Sequence, residues 1–428
     1  MGPGAIPGPF SLRVEGGMDR RTVIMAGTLS LMPAAARAAV ATNTPDWSAI
    51  AAQYDATGDV LQLEHGNWGM MARPVLAAYQ AHVARVNRDT SFYARRAMIP
   101  EIVAVERRVA SALGVAPEEI VLTRNATEAL RAAITGYNRL RPGDAVLYAD
   151  LDYDSMQRCF DTLAARRDAR LVRIALPEPA SHQTLIDAYA AAFDANPRIR
   201  LVLLTHLSHR TGLVVPVREI AALARARGID CIVDAAHSVG QLDFTVPDLG
   251  ADFVGLNLHK WIGAPLGCGV LYVRKGRVAD IDPDPAERVD APADDLRARV
   301  HTGTVDYAAQ LAIPAALDFQ GAIGAAPRAE RLRALRDRWV APLRDHPGIE
   351  ILTPDDPRLY GAITSFRLRG RRTRAENDAV AATLLERHRI FTVRRDGLAS
   401  GSCIRVTPAL ATRIEDLDRF VGALRTIA

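Results

Sequence analysis

Two lysines stand out because the chain has no others: Lys260 and Lys275 are the exceptions among 53 basic residues, and the rest are arginine. Both fall in the stretch GLNLHKWIGAPLGCGVLYVRKG, residues 255–276. An ammonium group in an apolar, aromatic setting loses hydration, so its pKa falls. The neutral amine can then form an imine, which a permanently protonated guanidinium cannot. A lysine kept at position 260 therefore points to chemistry of the amine itself, whereas Lys275, in VRKGR, reads as a solvent-facing charge. Asp234 follows the apolar run CIV, at a strand end. There a carboxylate can hold a protonated pyridine nitrogen and keep the ring an electron sink; taken alone, an Asp after a strand is more often a cap or turn residue. In TRNATEA, residues Asn125, Ala126 and Thr127 open a helix whose free N–H groups and dipole suit a phosphate, with the Thr127 hydroxyl in addition. A plain helix cap is the competing account.

These groups need elements to hold them. The runs EIVLT, DAVLYA, ARLVRIAL, IRLVLLTH, DCIVDAA, DFVGLN and CGVLYV read as seven strands between residues 119 and 273. Helical patterns over 125–137, 155–167 and 217–227 separate several of them. That alternation predicts a mainly parallel α/β sheet covered on both faces. No helix separates the sixth and seventh runs, which predicts an antiparallel seventh strand. Ligands in such sheets sit at the carboxyl ends of strands, where Asp234, His237, His259 and Lys260 all fall. An acidic, proline-rich loop (ADIDPDPAERVDAPADD) follows. From about residue 327 a helix, the strands GIEILT, AITSFRLRG, IFTVRR and CIRVTP, and further helices predict a smaller second α/β domain. The expected organisation is a leader (1–38), an N-terminal arm (39–70), a large domain (71–320) and a small domain (321–428).

Composition narrows the function. A net charge of +4 with scattered arginines offers no basic stripe, and no nucleic-acid motif is present. GAPLGCG leads into a strand rather than a helix, against a dinucleotide fingerprint, and no phosphate-binding Gly-Lys-Ser/Thr occurs. Cys159, Cys231, Cys268 and Cys403 lack metal-like spacing. Residues 1–17 are rich in Gly and Pro, with Met18 as the expected start. Arg20 and Arg21 then precede a short apolar run and ARA, ending at Ala38. This layout predicts a twin-arginine export signal and a periplasmic or secreted protein without a membrane anchor; a leader whose paired arginines are chance would leave it cytoplasmic.

VDAAHSVGQ followed by LHKWIGAPLGCGVLYV resembles the cofactor signature of class-V, fold-type-I pyridoxal-phosphate enzymes, a family that includes isopenicillin-N-epimerase-like proteins and cysteine desulfurases. The resemblance implies pyridoxal 5'-phosphate as cofactor, Lys260 as its covalent anchor and Asp234 on the ring nitrogen. It implies His237 on the ring-hydroxyl side, and Ala126, Thr127 and His259 at the phosphate. Tyr153 would stack on the ring, and His209 stands where an asparagine is usual. Thr304 would reach the phosphate of a neighbouring subunit, implying a homodimer. Arg405, with Asn67 nearby, would clamp the carboxylate of an amino-acid-like substrate. Desulfurases carry a catalytic cysteine on a loop that here is only RDGLASGS, residues 395–402, without a cysteine. The expected activity is epimerase, aminotransferase or lyase chemistry at the α-carbon in secondary metabolism, since exported members of the family resemble siderophore-tailoring enzymes. A desulfurase-type C–S lyase lacking the persulfide cysteine and a non-catalytic relative are the alternatives.

Overall fold

The seven apolar runs become the seven strands of one sheet: β2 (Ile120–Thr123), β3 (Ala145–Ala149), β4 (Arg170–Ile174), β5 (Ile199–Thr205), β6 (Asp230–Asp234), β7 (Phe253–Asn257) and β8 (Gly269–Val273). Their order is β2-β8-β7-β6-β5-β3-β4. β8 runs antiparallel to both neighbours while β3 to β7 pair in parallel, as the missing crossover helix requires. In this computed structural model residues 45–428 are described, apart from 288, 289 and 291. The predicted leader and residues 39–44 of the arm lie outside the described residues. Pro45–Ala428 forms one compact unit.

Burial explains why these segments are strands. β3, β7 and β8 are buried along their whole lengths, as strands covered by helices on both faces must be. β4 is an edge, and its exposed Arg170 and Arg173 discourage pairing with another chain. The expected helices form as Ala126–Gly136, Asp154–Arg166 and Val217–Arg225.

The C-terminal part contains a four-stranded antiparallel sheet ordered β12 (Val393–Arg395), β13 (Cys403–Val406), β10 (Thr364–Leu368) and β9 (Ile349–Ile351). Trp339, Phe366 and Phe420 pack edge-on in its core. One expectation changes here. IFTVRR is not a single strand: β11 (Ile390–Phe391) leaves the sheet to pair in parallel with β1 (Leu61–Gln62) of the N-terminal segment. That pairing draws the following residues, 63–69, between the C-terminal sheet and the lysine loop. Among the described residues no helix is long and apolar enough to cross a membrane.

Candidate active site

The carboxyl ends of the parallel strands open into a cavity of about 590 Å³. Lys260, Asp234, His237 and His259 line it, as do Ala126, Thr127, Tyr153 and His209, with Asn67 and Arg405 on the far wall. Thr304 is exposed and lies outside this lining. A second cavity of about 620 Å³, beside the helices Trp47–Ala51 and Ile414–Ile427, is lined by none of these residues.

Lys260 sits in the turn after β7. Gly69 donates its N–H to the His259 carbonyl at 2.8 Å. A Cβ at position 69 would fall 1.7 Å from the Lys260 carbonyl oxygen, so only glycine lets the N-terminal segment pass this loop. Burial lowers the Lys260 ammonium from its usual 10.5 to about 8; Asp234 opposes that fall, and Arg405 and Arg395 add to it. Lys260 Nζ lies 2.9 Å from His237 Nε2. Burial, followed by Lys260 itself, holds His237 well below its ordinary pKa, so the imidazole is neutral. The indole N–H of Trp261, which can only donate, faces His237 Nδ1 at 3.5 Å. A neutral ring accepting at Nδ1 carries its proton on Nε2 and offers it to the lysine, a pairing that favours the unprotonated amine.

Asp234 ends β6, opposite Thr205 of β5. Burial raises its carboxyl pKa, while the Ala236 N–H, at 2.9 Å, and Lys260 pull it back. One backbone donor leaves most of the acceptor capacity of this carboxylate unused. The Thr205 hydroxyl on the same wall lies against the buried Asp152 carboxylate, where it opposes the rise that burial gives the Asp152 pKa.

The start of the helix Ala126–Gly136 is narrower than the sequence implies. Asn125 Oδ1 caps Glu128 N at 2.9 Å, and Ala126 N donates to Asn257 Oδ1 at 2.8 Å. The Ala126 N–H is therefore committed to the protein. The Thr127 N–H and hydroxyl remain without a partner among the described residues. His259 Nδ1 faces the Cys268 carbonyl at 2.9 Å and so donates, which leaves Nε2 for a ligand. The Tyr153 ring meets His209 edge-on at 5.2 Å between centroids, and His209 lies nearly parallel to His237 at 6.4 Å.

The opposite wall comes from β13 and the N-terminal segment. Arg405 is fully buried and pairs with Glu64, which also holds Arg395. Glu64, Arg395 and Asn257 are absent from the sequence reading. Of these only Asn257 carried a local signal, a polar residue closing an apolar strand.

A family model for class-V aminotransferases matches residues 71–420. The chain belongs to that family. It is 31% identical over 398 residues to the isopenicillin N epimerase of Streptomyces clavuligerus, covering 89% of this chain and 98% of that one. It is 34% identical over 220 residues to a putative L-cysteine desulfhydrase of Oryza sativa subsp. japonica, covering 47% of this chain and 44% of the plant protein. A solved C-DES variant with glycine covalently linked to its PLP cofactor superposes with a TM-score of 0.76 at 22% identity, covering 89% of this chain and 99% of that one.

The class-V chain is thus a pyridoxal-phosphate-dependent enzyme with the type-I fold. Its own residues fit the cofactor. The cavity presents a half-buried lysine tuned toward neutrality, a carboxylate with spare acceptors, and unpaired donors at a helix start. None of the four free cysteines lines it.

Proposed function

We propose that the enzyme acts at the α-carbon of an amino acid, or of a peptide-like amine carrying a free carboxylate. When bound, pyridoxal phosphate supplies an electrophilic carbon for the substrate amine and a ring that takes up the electron pair left at the α-carbon. Asp234 holds the proton on the ring nitrogen, and His237 faces the ring hydroxyl. Thr127 and His259 bind the phosphate at the helix start, and Tyr153 and His209 wall the ring. Arg405, with Asn67 beside it, takes the substrate carboxylate. Lys260 moves the α-proton at Nζ, the atom that burial brings within reach of neutrality. Return of a proton to the opposite face inverts the α-carbon; loss of a β-substituent makes the enzyme a lyase.

The observation that carries this reading is a half-buried Lys260 within hydrogen-bond distance of a neutral His237, in one cavity with Asp234 and Arg405. Lys260→Ala tests it: the purified variant should lose turnover by about 10³-fold or more on any amino acid the wild type transforms. Its cofactor absorbance should shift as well. Wild-type absorbance and turnover in that variant would refute the assignment.

A lyase that cleaves C–S bonds without a persulfide is the second reading, supported by the loop 395–402. Arg210 donates to the Asp396 carbonyl, Asp150 accepts from Ala399 N at 3.1 Å, and Arg367 Nε donates to the Ser402 carbonyl at 2.8 Å. The loop is stapled down and has no thiol. Sulfide release from L-cysteine supports the lyase; deuterium incorporation at an α-carbon, with no fragmentation, supports the epimerase.

We also infer export by the twin-arginine route, a role in secondary metabolism of the siderophore-tailoring kind, and a homodimer. Arg20–Arg21 support the first. The last is supported by Thr304 lying outside its own cavity and by the exposed Phe92 and Ile99. Fractionation of expressing cells and light scattering of the purified enzyme test location and assembly.

A further inference from the structure

The far wall of the cavity holds a buried carboxylate that none of the roles above uses. Glu64 is 6% exposed and Arg405 1%. Arg405 meets Glu64 with two donors, Nε to Oε2 at 3.2 Å and Nη2 to Oε1, and donates from Nη1 to the His209 carbonyl at 2.8 Å. Arg395 adds its Nη2 to the same Glu64 Oε1 at 2.9 Å, and Thr407 Oγ1 lies 3.3 Å from Oε2. A guanidinium has five N–H groups. Three are committed here, which leaves one on each terminal nitrogen. Gly66 closes over the group, since a Cβ there would stand 2.8 Å from both Cζ and Nη2.

We propose that Glu64 is a positioning residue for substrate recognition: an internal carboxylate that fixes the roll of Arg405, so that its two remaining N–H groups meet the substrate carboxylate as a pair. The proposal rests on the reading that Arg405 binds that carboxylate. Two cations and one anion leave this trio, of which Glu64 and Arg405 are buried and Arg395 is partly exposed, with a single positive charge, which one substrate carboxylate neutralises. Burial and the neighbouring Arg405 lower the Arg395 guanidinium to about 10, and Glu64 opposes that fall.

Two effects compete when the charge of Glu64 is removed. Extra positive charge would draw an anion in more tightly, whereas a guanidinium free to turn would lose its paired grip. The geometry points to the second, because a bidentate contact depends on alignment.

The test uses the full-length holoenzyme, titrated with L-alanine and with L-alaninamide while cofactor absorbance is followed. Wild type should bind the acid more tightly than the amide. Glu64→Gln should reduce that preference by about tenfold or more, and Glu64→Asp, which keeps the charge on a shorter arm, by about threefold. Starting absorbance should be the same in all three proteins. An unchanged preference in either variant, or tighter L-alanine binding in Glu64→Gln, overturns the proposal. If the glutamine variant does not fold, the aspartate variant decides alone by the same criterion. No preference in wild type, or a full preference retained in Arg405→Gln, refutes the reading of Arg405 instead.

Discussion

At the floor of the cavity charge is sparse and partners are few. Asp234 accepts one backbone N–H, and Lys260 touches a neutral imidazole. His259 leans on a carbonyl, and the helix start offers the donors of Thr127. At the far wall charge is dense. Arg395 and Arg405 share Glu64, and Arg394, which also lines the cavity, pairs with both Asp378 and Asp396. The floor leaves polar groups unpaired, while the wall pairs most of its charge internally and holds one net positive charge and two Arg405 N–H groups in reserve. An unpaired buried group is costly until a ligand arrives, so the floor is shaped for a resident partner. A self-paired wall is stable without one and suits a substrate that comes and goes.

Substitutions at the two ends should therefore separate by what they change. Asp234→Asn removes the negative charge proposed to face the ring nitrogen without altering shape. We expect kcat to fall by about 10²–10³-fold, with a displaced absorbance of the bound cofactor. Arg405→Gln should lower kcat/KM by about 10²-fold, chiefly through KM, with absorbance unchanged. Steady-state kinetics and a spectrum of each variant check both. Loss of the cofactor band in Arg405→Gln would mean that the two ends are not separable.

The floor was legible in the sequence, whereas of the wall only Arg405 and Asn67 were expected, and those through the family resemblance. Every floor residue stands within a few positions of a strand end, and a parallel α/β sheet puts strand ends together whatever the loops do. Lys260 announced itself further by being a lysine in an arginine-rich chain. Nothing local marks Glu64 for Arg395 or Arg405, from which it lies 331 and 341 residues away in sequence. Their meeting depends on β1 pairing with β11, and neither of these two-residue strands carries a periodic signal. The capture of Ala126 N by Asn257 was hidden for the same reason, since it spans 131 residues. Asp152, buried between the ends of β3 and β5, where it accepts from Ala149 N and Thr205 N, also went unread.

The floor makes a pH prediction as well. Burial lowers the Lys260 pKa, so below about 8 the amine is protonated and above it neutral. Only the neutral form attacks a carbonyl. Apoenzyme should therefore take up added pyridoxal phosphate at a rate that climbs about tenfold per pH unit up to about 8 and levels off above. A stopped-flow absorbance series over pH checks this. A rate still climbing at pH 10 would show an ordinary, solvated lysine and remove the contrast between an unsatisfied floor and a satisfied wall.

The smallest effect belongs to Cys403, which lies in β13 two residues from Arg405 without lining the cavity. Burial pushes the thiol up to about 11, and its Sγ stands 3.7 Å from the Arg210 carbonyl. A persulfide carrier needs an accessible thiolate, and this group is neither accessible nor ionised. Cys403→Ala should cost about 1 kcal/mol of stability for the lost buried atom. Turnover should stay within about twofold of wild type, sulfide release from L-cysteine included, because the catalytic reach of the wall ends at its guanidinium groups. Thermal melts and sulfide assays on the same preparation check both numbers. A tenfold loss of sulfide release with cofactor absorbance intact would place sulfur chemistry in the wall and make it more than a carboxylate clamp.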